Sequence, residues 1–453
     1  MSFVAADLGA SSTRYTSDSG KIDVLPNNMK TLPDMNVSLI IPDSGDIESC
    51  LEAQITRDGQ DAMGFFPTNV LMGIMAEKHR GIDERPSVNT HKHKQKINYV
   101  SAIMACAVSK LKHPELAEHV DLYLATPPIE VHAAKEAFAQ VLCGTYTVYF
   151  PKYNNGVSVT FTVDSVKCYA ESYMASAAFF FNMNGTPKEE TRQYLSGTVL
   201  HLDIGASTSD LSITKNGKFL DKSGQTYRIG GNVARDNLTD QICQKFAIDL
   251  PLADAEKVMA EGRMQQGMGF VDVSDLVMVA KRELAQQLNE YLDTYFKRIQ
   301  IPIQMVNAIV VSGGGSMQSQ YATPEGEMVK TSEPLSYFVT QELQTWSPGT
   351  AVIPFGENAR FANVTGLFIR AKIDEIKRKQ QAAVASQPVI PTVQSVAQGI
   401  GQTQQVQQTQ QVVNNGAVAG AGQTAGQTTP TYIGAPGQVM QDRQPGQEGQ
   451  ITQ

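Results

Sequence analysis

Two stretches of this sequence place an aspartate, a glycine and small hydroxyl residues in the same order. Residues 5–15 read AADLGASSTRY, and residues 202–211 read LDIGASTSDL. In each stretch an apolar run ends in an aspartate, Asp7 or Asp203, two residues before a glycine. A phosphate chain with bound Mg²⁺ requires backbone N–H donors at close range, hydroxyl donors, and carboxylates that hold the water shell of the metal. Each copy supplies all three, so the pair predicts a site for a phosphorylated ligand and its cation.

The residues predicted to contact phosphate lie in the two turns that follow the aspartates. Glycine lets such a turn bring its amides inward, because it adopts backbone angles that other residues avoid. Asp7 and Asp203 are expected to hold Mg²⁺ through water molecules, which this ion gives up reluctantly. A single copy would favour an ordinary structural turn, whereas two copies favour a site built from two halves. The predicted phosphate-binding residues are Gly9, Ala10, Ser11, Ser12 and Thr13 in the first copy, and Gly205, Ala206, Ser207 and Thr208 in the second.

The spacing of the two copies indicates the domain organisation. Asp203 lies 196 residues after Asp7, a separation that exceeds the period of a solenoid and matches the size of a domain. FVAADLG and TRYTSD predict two strands joined by a tight turn, and VLHLDIG and SDLSITKNGKFLD repeat this pair, with Asn-Gly as a hairpin signal. Neither a Walker P-loop nor a Rossmann fingerprint occurs. The sequence therefore predicts two similar α/β domains with a cleft between them.

Composition narrows the functional classes. The 453 residues carry a net charge of −8, with a pI near 5.5, which excludes a nucleic-acid binder that works through bulk positive charge. The five cysteines show no Cys-x-x-Cys spacing, so neither a disulfide framework nor a zinc site is indicated. The sequence has no basic leader before an apolar stretch and no apolar run of about 18 residues. We expect a cytoplasmic protein that contacts neither membranes nor nucleic acid directly.

The composition changes near residue 380. Beyond Lys379 the only charged side chains are Asp442, Arg443 and Glu448, and Gln, Gly, Thr, Ala and Val dominate. Such a segment cannot bury enough apolar area to offset its chain entropy. Residues 380–453 are therefore predicted to be disordered. The alternative is a tail that binds a partner or associates with itself.

Three further stretches complete a resemblance to a known superfamily. VVSGGGS ends a predicted buried strand in a glycine turn, KCYAESYMASAA surrounds Glu171, and ENARFANVTGLF opens a helix with small residues that allow close packing. Together with the two turns and YRIGGNVARDNLTDQI, these stretches follow along the chain in the order found in the superfamily of actin, sugar kinases and heat-shock ATPases, which the chain resembles over residues 1 to about 378. Within that superfamily the chain most resembles the ParM-type actins, bacterial proteins that segregate plasmids by forming filaments.

The resemblance implies both a fold and a ligand. We expect an α/β fold of two similar actin-like, ribonuclease H-like domains around a nucleotide cleft. Domain I spans 1–195 and is completed by 357–379, and domain II spans 196–356. The implied ligand is ATP with Mg²⁺. GTP is an alternative ligand, because a glycine-rich turn distinguishes bases mainly by shape.

The resemblance also implies roles for particular residues. Glu171 is the candidate that orients the attacking water, and Asp203 shares this role through a second water; the alternative for Glu171 is a carboxylate that stabilises a helix N-terminus. Gly230 and Gly231 bring a helix N-terminus towards the nucleotide, or form a packing turn. Glu256 lies beside the ribose or adenine, or on a solvated helix face. The implied adenosine turn comprises Gly313, Gly314, Gly315 and Ser316.

The run HRGIDERPSVNTHKHKQK, at residues 79–96, invites a metal-site interpretation. Alternating histidines and lysines would repel a metal cation, and no cysteine or acidic residue stands beside them. We therefore expect a solvated loop. The alternative is a basic strip that contacts an acidic neighbouring subunit in a filament.

The leading functional hypothesis is an ATPase that assembles into filaments by self-association. ATP closes the cleft and favours head-to-tail assembly, and hydrolysis weakens the subunit contacts; a DNA-binding adaptor would connect the filament to a plasmid. Alternatives are a small-molecule kinase of the same fold, which needs an additional aspartate base, and a chaperone-type ATPase, which needs a peptide-binding domain. A phage or chromosomal actin-like cytoskeletal protein would have the same sequence features.

Overall fold

The computed structural model describes two sheets with the helices that cover them. The described residues are 2–33, 47, 51–78, 84–87, 89–154, 156–220, 222–317, 320–322, 328–330 and 333–385. Most of the predicted disordered tail, residues 386–453, lies outside these ranges. Residues 380–385, which that prediction included, belong to the last helix, so the boundary after Lys379 falls inside an ordered element.

The first sheet contains nine strands, which are β1 (Ser2–Leu8), β2 (Ser12–Ser17), β3 (Ile22–Pro26), β4 (Met29–Leu32), β5 (Glu52–Arg57), β6 (Thr68–Met72), β7 (His119–Thr126), β8 (Gly144–Phe150) and β9 (Val157–Ala170). Their spatial order is β3-β2-β1-β7-β9-β8-β5-β6-β4. The antiparallel hairpin β1–β2 is followed by β7 and β9, which run parallel to β1.

The strands of the second half are β10 (Thr198–Ile204), β11 (Ser209–Lys215), β12 (Lys218–Phe219), β13 (Gln225–Tyr227), β14 (Arg263–Gln266), β15 (Gly269–Asp272), β16 (Ala308–Ser312), β17 (Gln320–Ala322), β18 (Met328–Lys330) and β19 (Ala351–Pro354). The second sheet has the order β12-β11-β10-β16-β19, with β13 beside β11. β14 pairs with β15, and β17 pairs with β18, as separate hairpins.

The two sheets share one topology at their centres. β10 pairs antiparallel with β11 and parallel with β16, as β1 pairs with β2 and β7. Asp7 stands opposite Arg14 in the first hairpin, and Asp203 stands opposite Asp210 in the second. The repeated phrase therefore folds into equivalent hairpins, and the prediction of two similar α/β halves is confirmed at the level of fold. The domain boundaries themselves stay predictions.

The helices are α1 (Ile74–Lys78), α2 (Lys96–Lys112), α3 (Val131–Leu142), α4 (Glu171–Phe180), α5 (Arg192–Leu195), α6 (Gly231–Phe246), α7 (Leu252–Glu261), α8 (Ser274–Ile299), α9 (Leu335–Trp346) and α10 (Ala362–Ala385). Among the residues that the structure describes, no helix is both long and apolar enough to cross a membrane. Leu284, Leu288, Leu292 and Phe296 recur at every fourth position of the sequence, which predicts a helix over residues 274–298. This helix is α8, and these four side chains are buried in it.

The strand pattern sends alternate side chains to opposite faces of each sheet. Val4 and Ala6 of β1 pack with α2 and α3 on one face, while Phe3 and Ala5 pack with α10 on the other. In the second sheet, Leu202 belongs to a core formed with α6, α7, α8 and α9. Each sheet is thus covered on both faces, as expected for strands that are apolar throughout.

Helix α4 contacts both sheets and packs closely against α10. Its Met174 lies in the core of the first sheet, while Phe179 and Phe180 pack against the second. A Cβ atom at Gly366 of α10 would stand 1.8 Å from the Met174 carbonyl oxygen. Only glycine permits this approach of the two helices, so α4 and α10 connect the sheets through a tight backbone contact.

Candidate functional site

The two repeated aspartates end equivalent strands and are both buried. Asp7 is the sixth residue of β1 and Asp203 is the sixth residue of β10, and each residue is 4% exposed. The turn after Asp203 is closed by a hydrogen bond from the Gly205 N–H to the Thr208 carbonyl oxygen, at 2.8 Å. The turn after Asp7 is stabilised by a residue outside the β1–β2 hairpin: Asn27 Nδ2 donates a hydrogen bond to the Gly9 carbonyl oxygen at 2.6 Å.

Three carboxylates from different elements meet at the end of the second hairpin. Glu171 is the first residue of α4, and Asp203 and Asp210 come from β10 and β11. One oxygen of each lies within 4.8 Å of an oxygen of the other two, and all three side chains are buried. A buried cluster of this kind is electrostatically unfavourable unless protons or cations neutralise it.

Asp203 is fixed by two side chains that lie far from it in sequence. Ser312 Oγ donates to Asp203 Oδ1 at 3.1 Å, and Asn363 Nδ2 donates to Asp203 Oδ2 at 2.8 Å. Burial raises the pKa of Asp203 to about 7, with Glu171 adding to the shift and the Asn363 hydrogen bond opposing it. The strand end of β16 and the start of α10 therefore orient this carboxylate.

Asp210 and Asp7 are also shifted towards the protonated form. Burial and the adjacent Glu171 raise the pKa of Asp210 well above its usual range, although Thr226 Oγ1 donates to its Oδ1 at 2.5 Å. The same two causes raise the pKa of Asp7, while Arg14 lowers it. Arg14 NH1 lies 3.4 Å from Asp7 Oδ2. Each hairpin thus carries a buried acid whose ionised form an added cation would stabilise.

Lys92 is the second cation of the site and forms an ion pair with Glu171. Burial alone would lower the pKa of Lys92, but attraction by Glu171 and Asp7 outweighs it and raises the pKa. The backbone N–H of Lys92 donates to Glu130 Oε2 at 2.8 Å, and Asn98 Nδ2 donates to the Lys92 carbonyl oxygen at 2.9 Å. These contacts aim the side chain inward from the 3₁₀ helix Lys92–Lys94.

The prediction that residues 79–96 form a solvated loop is therefore wrong for Lys92 and His93, near the end of this run. His93 is 8% exposed, and the Glu130 carboxylate lies 3.2 Å from His91 Nδ1 and 3.7 Å from His93 Nδ1. The sequence offered no acidic neighbour for these histidines, since Glu130 is brought to them by the N-terminus of α3. Residues 79–83 and 88 lie outside the described residues.

Glycines let two turns approach the second hairpin closely. A Cβ atom at Gly230 would stand 2.7 Å from the carbonyl oxygens of Gly205 and Ala206, and one at Gly315 would stand 2.2 Å from that of Gly205. Gly313 adopts φ +92°, and a Cβ atom there would lie 2.5 Å from Asp203 Oδ1. The predicted adenosine turn and the turn before α6 are both pressed against the second phosphate turn.

The N-terminus of α6 also binds that turn through its backbone. The N–H of Gly231 donates to the Gly205 carbonyl oxygen at 3.0 Å, and the N–H of Asn232 donates to that of Ala206 at 2.7 Å. Asn232 Nδ2 donates to Ser207 Oγ at 3.0 Å. The N–H groups of Gly231 and Asn232 are thus already engaged in hydrogen bonds with the turn. Gly230 and Gly231 therefore influence the site through the shape of this turn.

Arg14 joins the first hairpin to the adenosine turn. Its NH1 lies 2.9 Å from the position of a Cβ atom at Gly9, and its NH2 lies 3.4 Å from the position of a Cβ atom at Gly314. The first turn, the second turn and the residues Gly313 to Gly315 are therefore neighbours, although they come from three parts of the chain. The structure brings together the elements that the sequence predicts as one site.

Two of the residues predicted to contact the ligand are buried, and a third lies on an exposed helix face. Thr13 is completely buried in β2. Ser316 is also buried, and its Oγ donates to the Gly313 carbonyl oxygen at 2.6 Å, so it holds the glycine turn. The Glu256 side chain is 68% exposed and lies 3.5 Å from Arg235 NH1, as the solvated-face alternative expects. By contrast Ala10 and Ser11 are exposed, and Ser12 is half-buried.

The remaining donors and acceptors fit a polar ligand with a divalent cation. No described carbonyl accepts a hydrogen bond from the N–H groups of Ala10, Ser11, Ala206 or Ser207. Among the described residues, the buried atoms Thr126 Oγ1, Ser172 Oγ and Asn363 Oδ1 have no hydrogen-bond partner. Buried polar atoms are rarely left unpaired. Among the described residues, the cations that form ion pairs with the four carboxylates are Arg14 and Lys92, so the charge of Mg²⁺ would help to balance the group.

The sequence did not identify four residues of the site, namely Arg14, Lys92, Ser312 and Asn363. Arg14 could have been found, because it follows Asp7 by seven residues as Asp210 follows Asp203. Ser312 directly precedes the glycine turn and Asn363 lies in the quoted stretch before α10. No local pattern in the sequence indicated a role for Lys92, because its ion-pair partner Glu171 lies 79 residues further along the chain.

Comparison with known proteins assigns the fold. Residues 5–173 match the model of the N-terminal domain of actin-like proteins. No curated protein sequence matches the chain. The match covers the whole first sheet up to α4, and the second sheet repeats its topology. The chain therefore has the two-lobed fold of actin-like proteins.

Solved structures of actin-like proteins extend over both sheets. The actin-like protein Alp7A is 16% identical, with a TM-score of 0.63 over 84% of this chain and 98% of Alp7A. ParM of Bacillus thuringiensis with ATP is 17% identical, with a TM-score of 0.58 over 83% of this chain and 99% of that chain. An archaeal actin homologue in complex with ADP is 16% identical, with a TM-score of 0.57 over 82% and 100%. The ParM-like fold is thus shared at low sequence identity.

Proposed function

We propose that the two hairpin turns bind ATP with Mg²⁺. The observation that carries this proposal is the buried group of Asp7, Glu171, Asp203 and Asp210 between the two turns, in which burial and mutual repulsion raise the pKa of Asp7, Asp203 and Asp210. A divalent cation would relieve that repulsion. Neighbours of the same fold carry ATP or ADP in their crystals, which supports the ligand class.

The turn residues supply donors for the phosphates. The N–H groups and hydroxyls of Ser11, Ser12, Ser207 and Thr208 face the ligand, and the turn at Gly313 lies beside its adenosine part. Asp7 and Asp203 would hold Mg²⁺ through water; the ion neutralises the charge that develops on the phosphates. GTP would fit the same backbone turns.

Glu171 is placed to orient the water that attacks the terminal phosphate. It opens α4 at the centre of the carboxylate cluster, and Asp203, fixed by Ser312 and Asn363, supports a second water. Lys92 forms an ion pair with the Glu171 carboxylate and holds it in position. An ionised carboxylate accepts a hydrogen bond from the water and aligns its lone pair with phosphorus. The proposed reaction is therefore hydrolysis of ATP.

We further propose that ATP binding drives polymerisation of the chain in the cytoplasm and that hydrolysis releases the subunits. Neighbours with this fold include ParM and Alp7A, which supports an assembling protein. A DNA-binding adaptor would attach a plasmid to the filament, because the net charge of −8 disfavours direct binding to DNA.

Light scattering after addition of Mg²⁺ and ATP tests the whole proposal. The expected trace rises quickly and then decays as phosphate is released, while Mg²⁺ with ADP gives a smaller rise. A chain that binds no nucleotide contradicts the site, and a chain that turns ATP over only when a sugar is added supports the kinase alternative instead.

A further inference from the structure

The second half of the chain carries an exposed apolar hairpin tip. β14 and β15 are joined by the two-residue turn Gly267–Met268, with Gln266 opposite Gly269. Met268 is fully exposed and Phe270 is 59% exposed. Nothing lies within 4 Å of the positions of Cβ atoms at Gly267 and Gly269. We call residues 266–270 the hairpin tip. The guanidinium carbon of Arg263, in the same hairpin, lies 4.7 Å from the centre of the Phe270 ring, yet both large apolar side chains of the tip stay mostly exposed to solvent.

A cavity at the other end of the same half offers a complementary surface. It has a volume of about 560 Å³, within the range of roughly 300–1,000 Å³ typical of cavities that enclose a ligand. Leu220, Ile299 and Met305 line it, and Met305 is 65% exposed. Lys215, Lys222 and Arg298 also line it, and none of its described lining residues is acidic. We call this cavity the basic pocket.

The two surfaces lie at opposite ends of one helix. The hairpin tip precedes the first residue of α8, where Asp272 Oδ1 accepts a hydrogen bond from the Ser274 N–H at 2.8 Å. The basic pocket includes the last turn of α8, at Arg298 and Ile299. The 26 residues of α8 span about 39 Å. Since a continuous helix separates them, the tip of one molecule cannot reach its own pocket.

Their surroundings have opposite charge. Residues 249–275, which surround the hairpin tip in the chain, carry six acidic and two basic side chains, a net charge of −4. Residues 215–222 and 297–305, which form the pocket end, carry five basic side chains and one acidic side chain, a net charge of +4. Asp254, Asp272 and Asp275 are exposed. Opposite charges around an apolar contact favour approach and fix its register.

We propose that the hairpin tip of one molecule docks into the basic pocket of the next. Met268 and Phe270 would cover the apolar lining, and the acidic residues around the tip would meet Lys215, Lys222 and Arg298. The contact joins two different patches, so it is heterologous and leaves a free tip and a free pocket at the two ends of any chain of molecules. Such a contact extends into an open polymer. The inference rests on the proposed assembly and names its surfaces.

Two variants that each disable one surface test the contact. The tip variant carries Met268→Asp and Phe270→Asp, and the pocket variant carries Arg298→Glu and Met305→Asp. All four residues are exposed, so both variants are expected to fold and to show the thermal shift of the wild type with Mg²⁺ and ATP. Each is expected to raise the critical concentration for polymerisation at least about tenfold, because the lost apolar burial and charge attraction weaken the contact. Ile376→Asp, at an apolar residue that is 44% exposed elsewhere, is the control and polymerises normally.

Mixing the two variants makes the test decisive. The tip variant keeps an intact pocket and the pocket variant keeps an intact tip, so with Mg²⁺ and ATP the mixture is expected to form a 1:1 complex in sedimentation velocity, while each variant alone stays monomeric. Polymerisation of both variants at the wild-type critical concentration, or absence of the 1:1 complex, overturns the assignment of these surfaces while leaving nucleotide-driven assembly intact. A wild-type chain that never polymerises overturns the assembly and this contact together.

Discussion

Lys92 and Glu171 form a buried ion pair although 79 residues separate them in the chain. Lys92 comes from the short helix before α2, and Glu171 opens the helix that connects the two sheets. Both side chains are mostly removed from water. The pair thus attaches the first half of the chain to the carboxylate cluster of the second hairpin.

Removal of the Lys92 charge should destabilise the nucleotide-free protein. A buried carboxylate that loses its only close cation costs about 3–5 kcal/mol. We expect Lys92→Met to lower the free energy of unfolding by this amount in urea titrations. Lys94→Met, at an exposed residue of the same short helix, should change it by less than about 0.5 kcal/mol. The double variant Lys92→Met, Glu171→Gln should recover part of the loss, and a loss equal to that of Lys92→Met alone would show that the ion pair is not its cause.

Glu171→Ala should nearly abolish phosphate release while ATP affinity stays within a few-fold of the wild type. The reason is that Glu171 orients water and contributes little to holding the phosphates, which the two turns bind. Phosphate release is measured with a coupled assay and affinity with a fluorescent ATP analogue. Glu189→Ala, at a carboxylate that is 83% exposed, is the matched control. Undiminished turnover in Glu171→Ala removes this residue from the mechanism.

The stability of the nucleotide-free protein should depend on pH through Asp203. Burial raises the pKa of Asp203 from 3.8 to about 7, so the folded state binds more protons than the unfolded state between these values. The stabilisation is complete below pH about 4 and is lost as pH rises through about 7, which amounts to at most about 4 kcal/mol. Urea unfolding in EDTA at about pH 4.5 and about pH 7.5 measures the decline.

Asp203→Asn should make that decline shallower, because the amide does not titrate. Asp236→Asn, at a side chain that is 66% exposed, should keep the wild-type decline. Equal declines in wild type and Asp203→Asn would assign the pH dependence to other acids of the cluster.

Gly366→Ala should separate the two connecting helices. The added Cβ atom would stand 1.8 Å from the Met174 carbonyl oxygen, so α4 and α10 must move apart, at a cost of about 1–3 kcal/mol or more. We expect a lower thermal midpoint and weaker ATP binding, since Asn363 and Glu171 lie on these helices. Gly349→Ala, where nothing lies within 4 Å, is the control, and similar midpoints for the two variants would contradict the close contact.

The sequence predicted the parts of the site that lie in local patterns. Asp7, Asp203 and their glycine turns were found because the phrase occurs twice, and the Asn216–Gly217 turn between β11 and β12 adopts the positive φ angles of 53° and 67° that its residues favour. The periodicity of α8 gave its bounds to within one residue. Each of these signals depends on neighbours along the chain.

The parts that were missed depend on neighbours in space. Lys92 and His93 stand in a run of charged residues that is typical of a solvated loop, and only the packing of α3 brings Glu130 beneath them. Asn363 is identified as a partner of Asp203 only when α10 returns to the first hairpin's sheet. The outer strands β4, β5 and β6 pair in an order that no spacing in the sequence specifies.

Arg14 and Asp210 stand at matching register positions, one opposite Asp7 and the other opposite Asp203. Two identical halves would present a ligand with two equivalent poses. Opposite charges at this one pair of positions remove that degeneracy, because the cationic half and the anionic half attract different ends of an asymmetric ligand. One residue in each copy of the repeat therefore determines the single orientation in which an asymmetric ligand binds.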